Sequence, residues 1–210
     1  MIRVVIADDH AIVREGLKRI IAEFDGVQVV GETDNGGDVI DACQRESPDV
    51  LLLDVSMPGR PFLDTLDVLR TQLPALRILV LSMYPENQYA VRALKAGAAG
   101  YLTKGHDPET LRQAIRRVHG GGRYITPALA ESLAHQLGPE PPEVLHELLS
   151  DREFEVLVLL GQGKRNTEIG DHLALSPKTV GTYRARIFEK MDFSNIADLV
   201  RYAADNHLLQ

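Results

Sequence analysis

The chain has 210 residues, 44% hydrophobic and 25% charged, a balance that suits a globular protein with a buried core and excludes disorder of the whole chain. Its formal net charge of −7 argues against indiscriminate binding of polyanions by the molecule as a whole, although net charge hides local patches. The single cysteine excludes an internal disulfide, and no apolar run reaches the roughly 18 residues of a membrane span, so the chain reads as cytoplasmic with no membrane partner.

From Arg3 to about His119 the pattern alternates five times, with strands near 3–7, 27–31, 49–53, 77–82 and 99–103 and a helical segment after each. Apolar runs such as VVIA, VLLL and ILVL read as strands buried on both faces, the habit of parallel sheets. Residues 1–122 are therefore expected to form an α/β domain, a five-stranded doubly wound parallel sheet of the flavodoxin-like kind. Cys43, in the helical run VIDACQRE, reads as a reduced and partly buried thiol. Residues 123–149 read as a linker, with a short helical stretch TPALAESLAHQL and then GPEPPE, where glycine and prolines punctuate the chain.

From Ser150 to Gln210 strand signals cease, and a second, smaller all-α domain of four helices is expected. Ser150 followed by Glu153 is a capping box, so a helix starts at 151 and ends at Gly163. A short helix, a turn at Ala174–Ser176 and a longer helix from Pro177 make a helix-turn-helix, with Ser176 as N-cap, Pro177 at the first helical position and Gly170 allowing close approach. A last helix from about Asn195 to Asn206 carries Ile196, Leu199, Val200 and Ala203 at core spacing.

Chemistry concentrates at the strand ends. Asp8 and Asp9 follow β-strand RVVIA, Asp54 closes DVLLL, Ser82 closes RILVLS and Lys104 follows GYLT. Ligands of such sheets bind beyond the carboxyl ends of the strands, so these residues should share one pocket. Asp8, Asp9 and Asp54 suit a hard divalent cation such as Mg²⁺. Asp54 would be the nucleophile toward a phosphoryl donor, with Lys104 and the Ser82 hydroxyl on the phosphoryl oxygens. Singly, each is as well explained as a helix cap or a solvated loop charge; together, on successive strand ends, they form a site.

The strings ADD, LLLDVSMPG, LVLS and GYLTK resemble the phosphoacceptor receiver domain of bacterial two-component response regulators over about residues 1–122. The resemblance implies phosphotransfer from a sensor histidine kinase to Asp54. It implies Mg²⁺ held by Asp8 or Asp9, Asp54 and the Ser56 carbonyl, and Tyr101 as an aromatic switch beside Ser82 and Lys104. Two departures stand out: Phe62, preceded by Pro61, stands where receivers usually have glycine, and Gly105 follows Lys104 where many have proline. A phosphatase of the haloacid dehalogenase type fits poorly, because its Asp-x-Asp follows a first strand whereas Asp54 is followed by Val55 and Ser56 on the third. A pseudo-receiver that works without phosphorylation is the alternative, supported by the bulky Pro61-Phe62 pair. No GxxxxGK[ST] string follows a strand, which removes a nucleotide-binding reading.

Residues 150–210 carry eight Lys or Arg against nine Asp or Glu, yet between Ser176 and Lys190 the basic Lys178, Arg184, Arg186 and Lys190 face only Glu189. That leaves a local charge of 4 − 1 = +3. Val180, Tyr183 and Ile187 fall on one side of the helix, and Lys178, Thr182, Ala185 and Arg186 on the other. LSDREFEVLVLLGQGKRNTEIGDHLALSPKTVGTYRARIFEKM resembles the LuxR-type DNA-binding domain, and the whole chain a NarL/FixJ-type response regulator. The resemblance implies binding of double-stranded promoter DNA through Lys178, Thr179, Thr182, Arg184, Arg186 and Lys190, with small Gly181, Thr182 and Ala185 at base-reading positions. It also implies a homodimer when phosphorylated, with Leu199, Val200 and Ala203 in the contact, and RNA polymerase as a partner at the promoter.

Overall fold

The five apolar runs form β1 (Ile2–Ala7), β2 (Val27–Thr33), β3 (Val50–Asp54), β4 (Arg77–Ser82) and β5 (Gly100–Thr103), all parallel, in the order β2-β1-β3-β4-β5. This computed structural model describes residues 1–83, 86–127, 129–131, 145–206 and 208–209. Helices α1 (Ala11–Ala22), α2 (Val39–Glu46), α3 (Phe62–Gln72), α4 (Glu86–Lys95) and α5 (Pro108–His119) connect and follow the strands. All of β3 is buried, as its unbroken VLLLD requires of a central strand between two helical layers. One core cluster joins Val4, Ile6, Leu52, Leu79 and Leu102 of the sheet to Leu111, Ala114, Ile115 and Val118 of α5. Those four α5 residues recur on one face of the helix, which Asp107 caps by accepting the Thr110 amide at 3.0 Å. β2 runs to Thr33, two residues past the expected end, because pairing with β1 continues through polar Glu32 and Thr33.

The chain divides into two compact units, Met1–Leu133 and Ala134–Gln210. The linker expected over 123–149 is narrowed at both ends. Tyr124 pairs with Gly100 at the free edge of β5, its amide donating to the Ala99 carbonyl at 2.9 Å. A Cβ on Gly100 would lie 2.8 Å from the Tyr124 carbonyl oxygen, so glycine is what admits this segment. The Thr126 hydroxyl donates to Glu86 at the start of α4, and Leu129 is buried. Of the helical stretch expected over 126–137, residues 127 and 129–131 are helical, and 132–137 lie outside the described residues, as does GPEPPE.

In the second unit a 3₁₀ turn (Leu145–Leu148) precedes α6 (Asp151–Gly161), α7 (Asn166–Leu173), α8 (Pro177–Met191) and α9 (Ile196–Asp205). The turn is joined to the unit by His146, whose ring nitrogen lies 3.0 Å from the Tyr202 hydroxyl. Residues 153–160 of α6 are all buried, so this helix is the centre around which the others pack. The capping box is present, with Ser150 and Glu153 bonded reciprocally. Gly161 lets α9 close on α6, since a Cβ there would meet Ala203 at 3.2 Å and Leu209 at 2.6 Å. Gly170 serves the turn rather than a neighbouring helix: a Cβ there would lie 2.6 Å from the Leu175 carbonyl oxygen, and the Leu175 amide donates to Gly170 at 2.8 Å. Ala174, at φ 54°, takes the left-handed conformation that turns α7 into α8.

Candidate functional site

Strand register brings the site residues level. Ala7 is the partner of Leu53, so Asp8 sits beside Asp54; Asp54 pairs with Leu81, which puts Ser82 one step beyond; and Ser82 pairs with Thr103, which puts Lys104 next. The crevice between β1 and β3 is where the connections leave in opposite directions, the usual ligand position of doubly wound sheets. Asp8 and Asp54 are 1% and 3% exposed, and Ser82 and Tyr101 are fully buried. The Lys104 ammonium lies 2.7 Å from Asp8 Oδ2 and 2.8 Å from Asp54 Oδ2. Asp8 also accepts the His10 amide at 2.9 Å, and the Asp8 carbonyl accepts from Arg14 at 2.6 Å, which fixes the start of α1 against the pocket.

Burial pushes the Asp54 carboxyl above its ordinary range, against the pull of Lys104, and the neighbouring Asp8 adds to the rise. Burial works to lower Lys104, but Asp54 and Asp8 outweigh it and hold the ammonium above its usual range. Two buried carboxylates thus share one ammonium. Although Lys104 is within ion-pair distance, the buried oxygens Asp8 Oδ2 and Asp54 Oδ2 receive no directed hydrogen bond, nor does Asp9 Oδ1, which lies 2.7 Å from the His10 ring. Oxygen donors of Asp8, Asp9 and Asp54 lie within 4.8 Å of one another, with His10 beside them. Buried carboxylate oxygens with acceptor capacity to spare, all hard donors, fit a divalent cation such as Mg²⁺. His10, overlooked in the sequence, has as its only signal its place directly after Asp9. Pro61 and Phe62 are buried at the start of α3, and the Asp8–Lys104–Asp54 arrangement stands intact beside them.

On α8, Val180, Ile187 and Met191 are buried, Tyr183 is half-buried, and Lys178, Thr182, Ala185, Arg186 and Glu189 are exposed. The remaining basic residues divide by contact. Arg184 stacks over the Phe188 ring at 5.2 Å and lines a groove with Lys164, Arg165 and Asn166 at the start of α7. Lys164 and Arg165 thereby extend the basic surface beyond α8. Lys190 instead reaches back to the buried Glu153 at 2.7 Å, so its charge is committed to the fold. Thr179 is tied to the cap, its amide and hydroxyl both on Ser176. On α9 the expected contact residues separate: Leu199 and Ala203 are fully buried inside the unit, whereas Val200 is 37% exposed beside Ile196 at 40%. Leu199 and Ala203 are corrected to core residues, because the stripe at their spacing packs on α6.

Residues 4–116 match the family described as response regulator receiver domain, and residues 147–203 the bacterial regulatory proteins of the luxR family. The chain is 41% identical over 205 residues to the response regulator GacA of Pseudomonas aeruginosa, covering 97% of this chain and 95% of that one. To the response regulator UvrY of Escherichia coli it is 38% identical over 204 residues, covering 97% and 94%. It belongs to the NarL/FixJ-type two-component response regulators. Among solved structures it resembles the RcsB response regulator of Salmonella typhimurium, with TM-score 0.76 and 27% identity over 98% of both chains. It also resembles RcsB of Salmonella enterica serovar Typhimurium bound to the promoter rprA in the presence of phosphomimetic BeF3⁻, with TM-score 0.70 and 26% identity over 97% of this chain and 98% of that one. The acidic crevice is thus part of a receiver and α8 part of a LuxR-type DNA-binding domain, in a regulator rather than an enzyme. Among the described residues no helix is long and apolar enough to cross a membrane.

Proposed function

We propose that this response regulator accepts a phosphoryl group on Asp54 from a sensor histidine kinase and thereby controls its own dimerisation and promoter binding. The observation that carries the proposal is the Asp8–Lys104–Asp54 cluster at the strand ends, with a carboxylate placed to attack and an ammonium beside it. An Asp54 oxygen forms the bond to phosphorus as the phosphorus–nitrogen bond of the donor phosphohistidine breaks, and the donor imidazole leaves. Asp8, Asp9, Asp54 and the Ser56 carbonyl would hold Mg²⁺, which when bound offsets the negative charge of the carboxylates and the entering phosphoryl group. Lys104 then moves its attraction from Asp54 to a phosphoryl oxygen, and the Ser82 hydroxyl donates to another. Tyr101, packed in β5 between Gly100 and the strand end, is the aromatic group that responds.

In this reading residues 1–122 are the phosphoacceptor domain, 123–149 the connection and 150–210 the output domain. The protein acts in the cytoplasm, where RNA polymerase meets it at the promoter. Two output domains pair through Val200 and Ile196 and present two α8 helices to two half-sites of duplex DNA, with Lys178, Thr182, Arg184 and Arg186 toward the groove and its phosphates. The test is mass spectrometry of the intact protein with acetyl phosphate and Mg²⁺, beside sedimentation. The expected result is one phosphoryl adduct on wild type, none on Asp54→Ala, and a shift to dimer only where the adduct forms. Labelling that survives in Asp54→Ala would move the acceptor elsewhere.

A further inference from the structure

We infer that the exposed stripe of α8 reads thymine methyl groups, so that the half-site this protein selects is centred on A·T pairs whose thymines meet Thr182 and Ala185. The inference rests on the DNA-binding reading above and adds the base chemistry to it. On the solvent side of α8 the side chains shrink toward the middle: Lys178 and Arg186 are long, but Gly181, Thr182 and Ala185 between them carry at most a hydroxyl and a methyl. The Thr182 hydroxyl donates to the Lys178 carbonyl at 3.2 Å, so its proton is spent within the helix and its methyl is left for a partner. Thr179 is likewise committed, its hydroxyl 2.7 Å from that of Ser176. The first turns of the helix, the part that enters a major groove, therefore offer no carboxamide for adenine, and their central surface is two methyl groups. Of the bases in the major groove, only thymine presents a methyl group.

Gly181 supplies a second, independent observation. Glycine weakens a helix interior, and where it recurs for packing reasons a Cβ would collide with something. Here it would not: the nearest atom to a Cβ built on Gly181 is Asn166 Nδ2 at 3.7 Å, an ordinary contact. Gly161 and Gly170 in the same unit are different, with would-be contacts of 2.6 Å each. Among the described residues none requires Gly181 to be small, whereas a base edge brought against the helix backbone does. Short residues at 181, 182 and 185 let the backbone sink toward the bases, and Lys178 and Arg186 on either side reach the phosphates or a flanking guanine. Glu189, on the same stripe, lies beyond the first turns.

The experiment uses the full-length protein, treated with beryllofluoride, to enrich duplexes from a random pool. The enriched duplex is then remade with deoxyuridine in place of individual thymidines, which removes the methyl and keeps the pairing. Loss of binding by about fourfold per contacted methyl is expected, the usual gain for burying one such group. Thr182→Ser, which keeps the hydroxyl and loses the methyl, should bind more weakly and become indifferent to deoxyuridine at one position. Gly181→Ala should melt no lower than wild type and bind several-fold more weakly. Equal affinity of wild type for the thymidine and deoxyuridine duplexes would overturn methyl readout while leaving DNA binding in place, and unchanged affinity of Gly181→Ala would overturn the close approach. If no duplex is enriched, the DNA-binding reading fails and this inference with it.

Discussion

Lys104 compensates two buried carboxylates at once, at 2.7 Å from Asp8 and 2.8 Å from Asp54, so Lys104→Met should leave both charges uncompensated. Breaking such a buried pair commonly costs about 3–5 kcal/mol. Urea unfolding at neutral pH without metal should show that loss, and added Mg²⁺ should restore part of it. The reverse holds for Asp54→Asn. The folded-state pKa of Asp54 is raised from 3.8, so just above that value the folded protein keeps a proton the unfolded chain has lost. Stability therefore falls as pH rises through this window, and the cost is fully present at neutral pH. Asp54→Asn removes the charge, and unfolding in metal-free buffer should show a more stable protein than wild type at neutral pH, with the difference fading toward pH 3.8. A residue placed to react is held at the expense of stability.

Between elements, the ion pair from Lys190 on α8 to Glu153 on α6 decides how one basic residue is read. Glu153 is 3% exposed. Burial works to raise its pKa, but hydrogen bonds from Lys190 and Ser150 outweigh burial and hold it below 4.5. That stabilisation is present above 4.5 and is lost as pH falls through the folded-state pKa. Lys190→Met should cost about 1–3 kcal/mol at neutral pH and flatten the acid limb of the stability profile, while DNA affinity changes little. A large loss of DNA affinity at unchanged stability would return Lys190 to the DNA face. The sequence placed Lys190 on a basic helix but carried no sign of a partner 37 residues away. The same limit applies to α9, where periodicity revealed the stripe of Leu199 and Ala203 but not whether it faced the core or a second copy. The strand ends that carry the site were legible because four apolar runs, β1, β3, β4 and β5, each close on or lead directly into a polar residue, and register then converts chain position into proximity. The pairing of Tyr124 with β5 was not legible, since backbone bonds at a sheet edge leave no side-chain period. Gly100→Ala should displace that segment, at about 1–3 kcal/mol, and hydrogen exchange should show the Tyr124 amide losing protection first.

For the whole molecule the decisive quantity is charge. A protein of net charge −7 is repelled by DNA at long range, so affinity must come from the local basic surface of Lys178, Arg184 and Arg186, with Lys164 and Arg165 beside them. A phosphoryl group on Asp54 would carry about −1.5 to −2 in place of the carboxylate's own −1, a net addition of about −0.5 to −1, which by itself opposes binding. If phosphorylation nonetheless tightens binding, the proposed dimer would supply the gain by placing two α8 helices on one duplex. Salt dependence separates the possibilities, because the slope of log affinity against log salt counts phosphates neutralised. For wild type with beryllofluoride the slope should be about twice that of Asp54→Asn, since a dimer brings two basic faces and a monomer one. Within the dimer, Arg186→Ala should weaken binding to all sequences and lower the slope by about 1 for each helix, whereas Thr182→Ser, which removes no charge, should leave the slope unchanged. A slope equal for the phosphomimetic protein and Asp54→Asn would mean that phosphorylation does not change the number of helices on DNA, and control would then have to act within a single output domain.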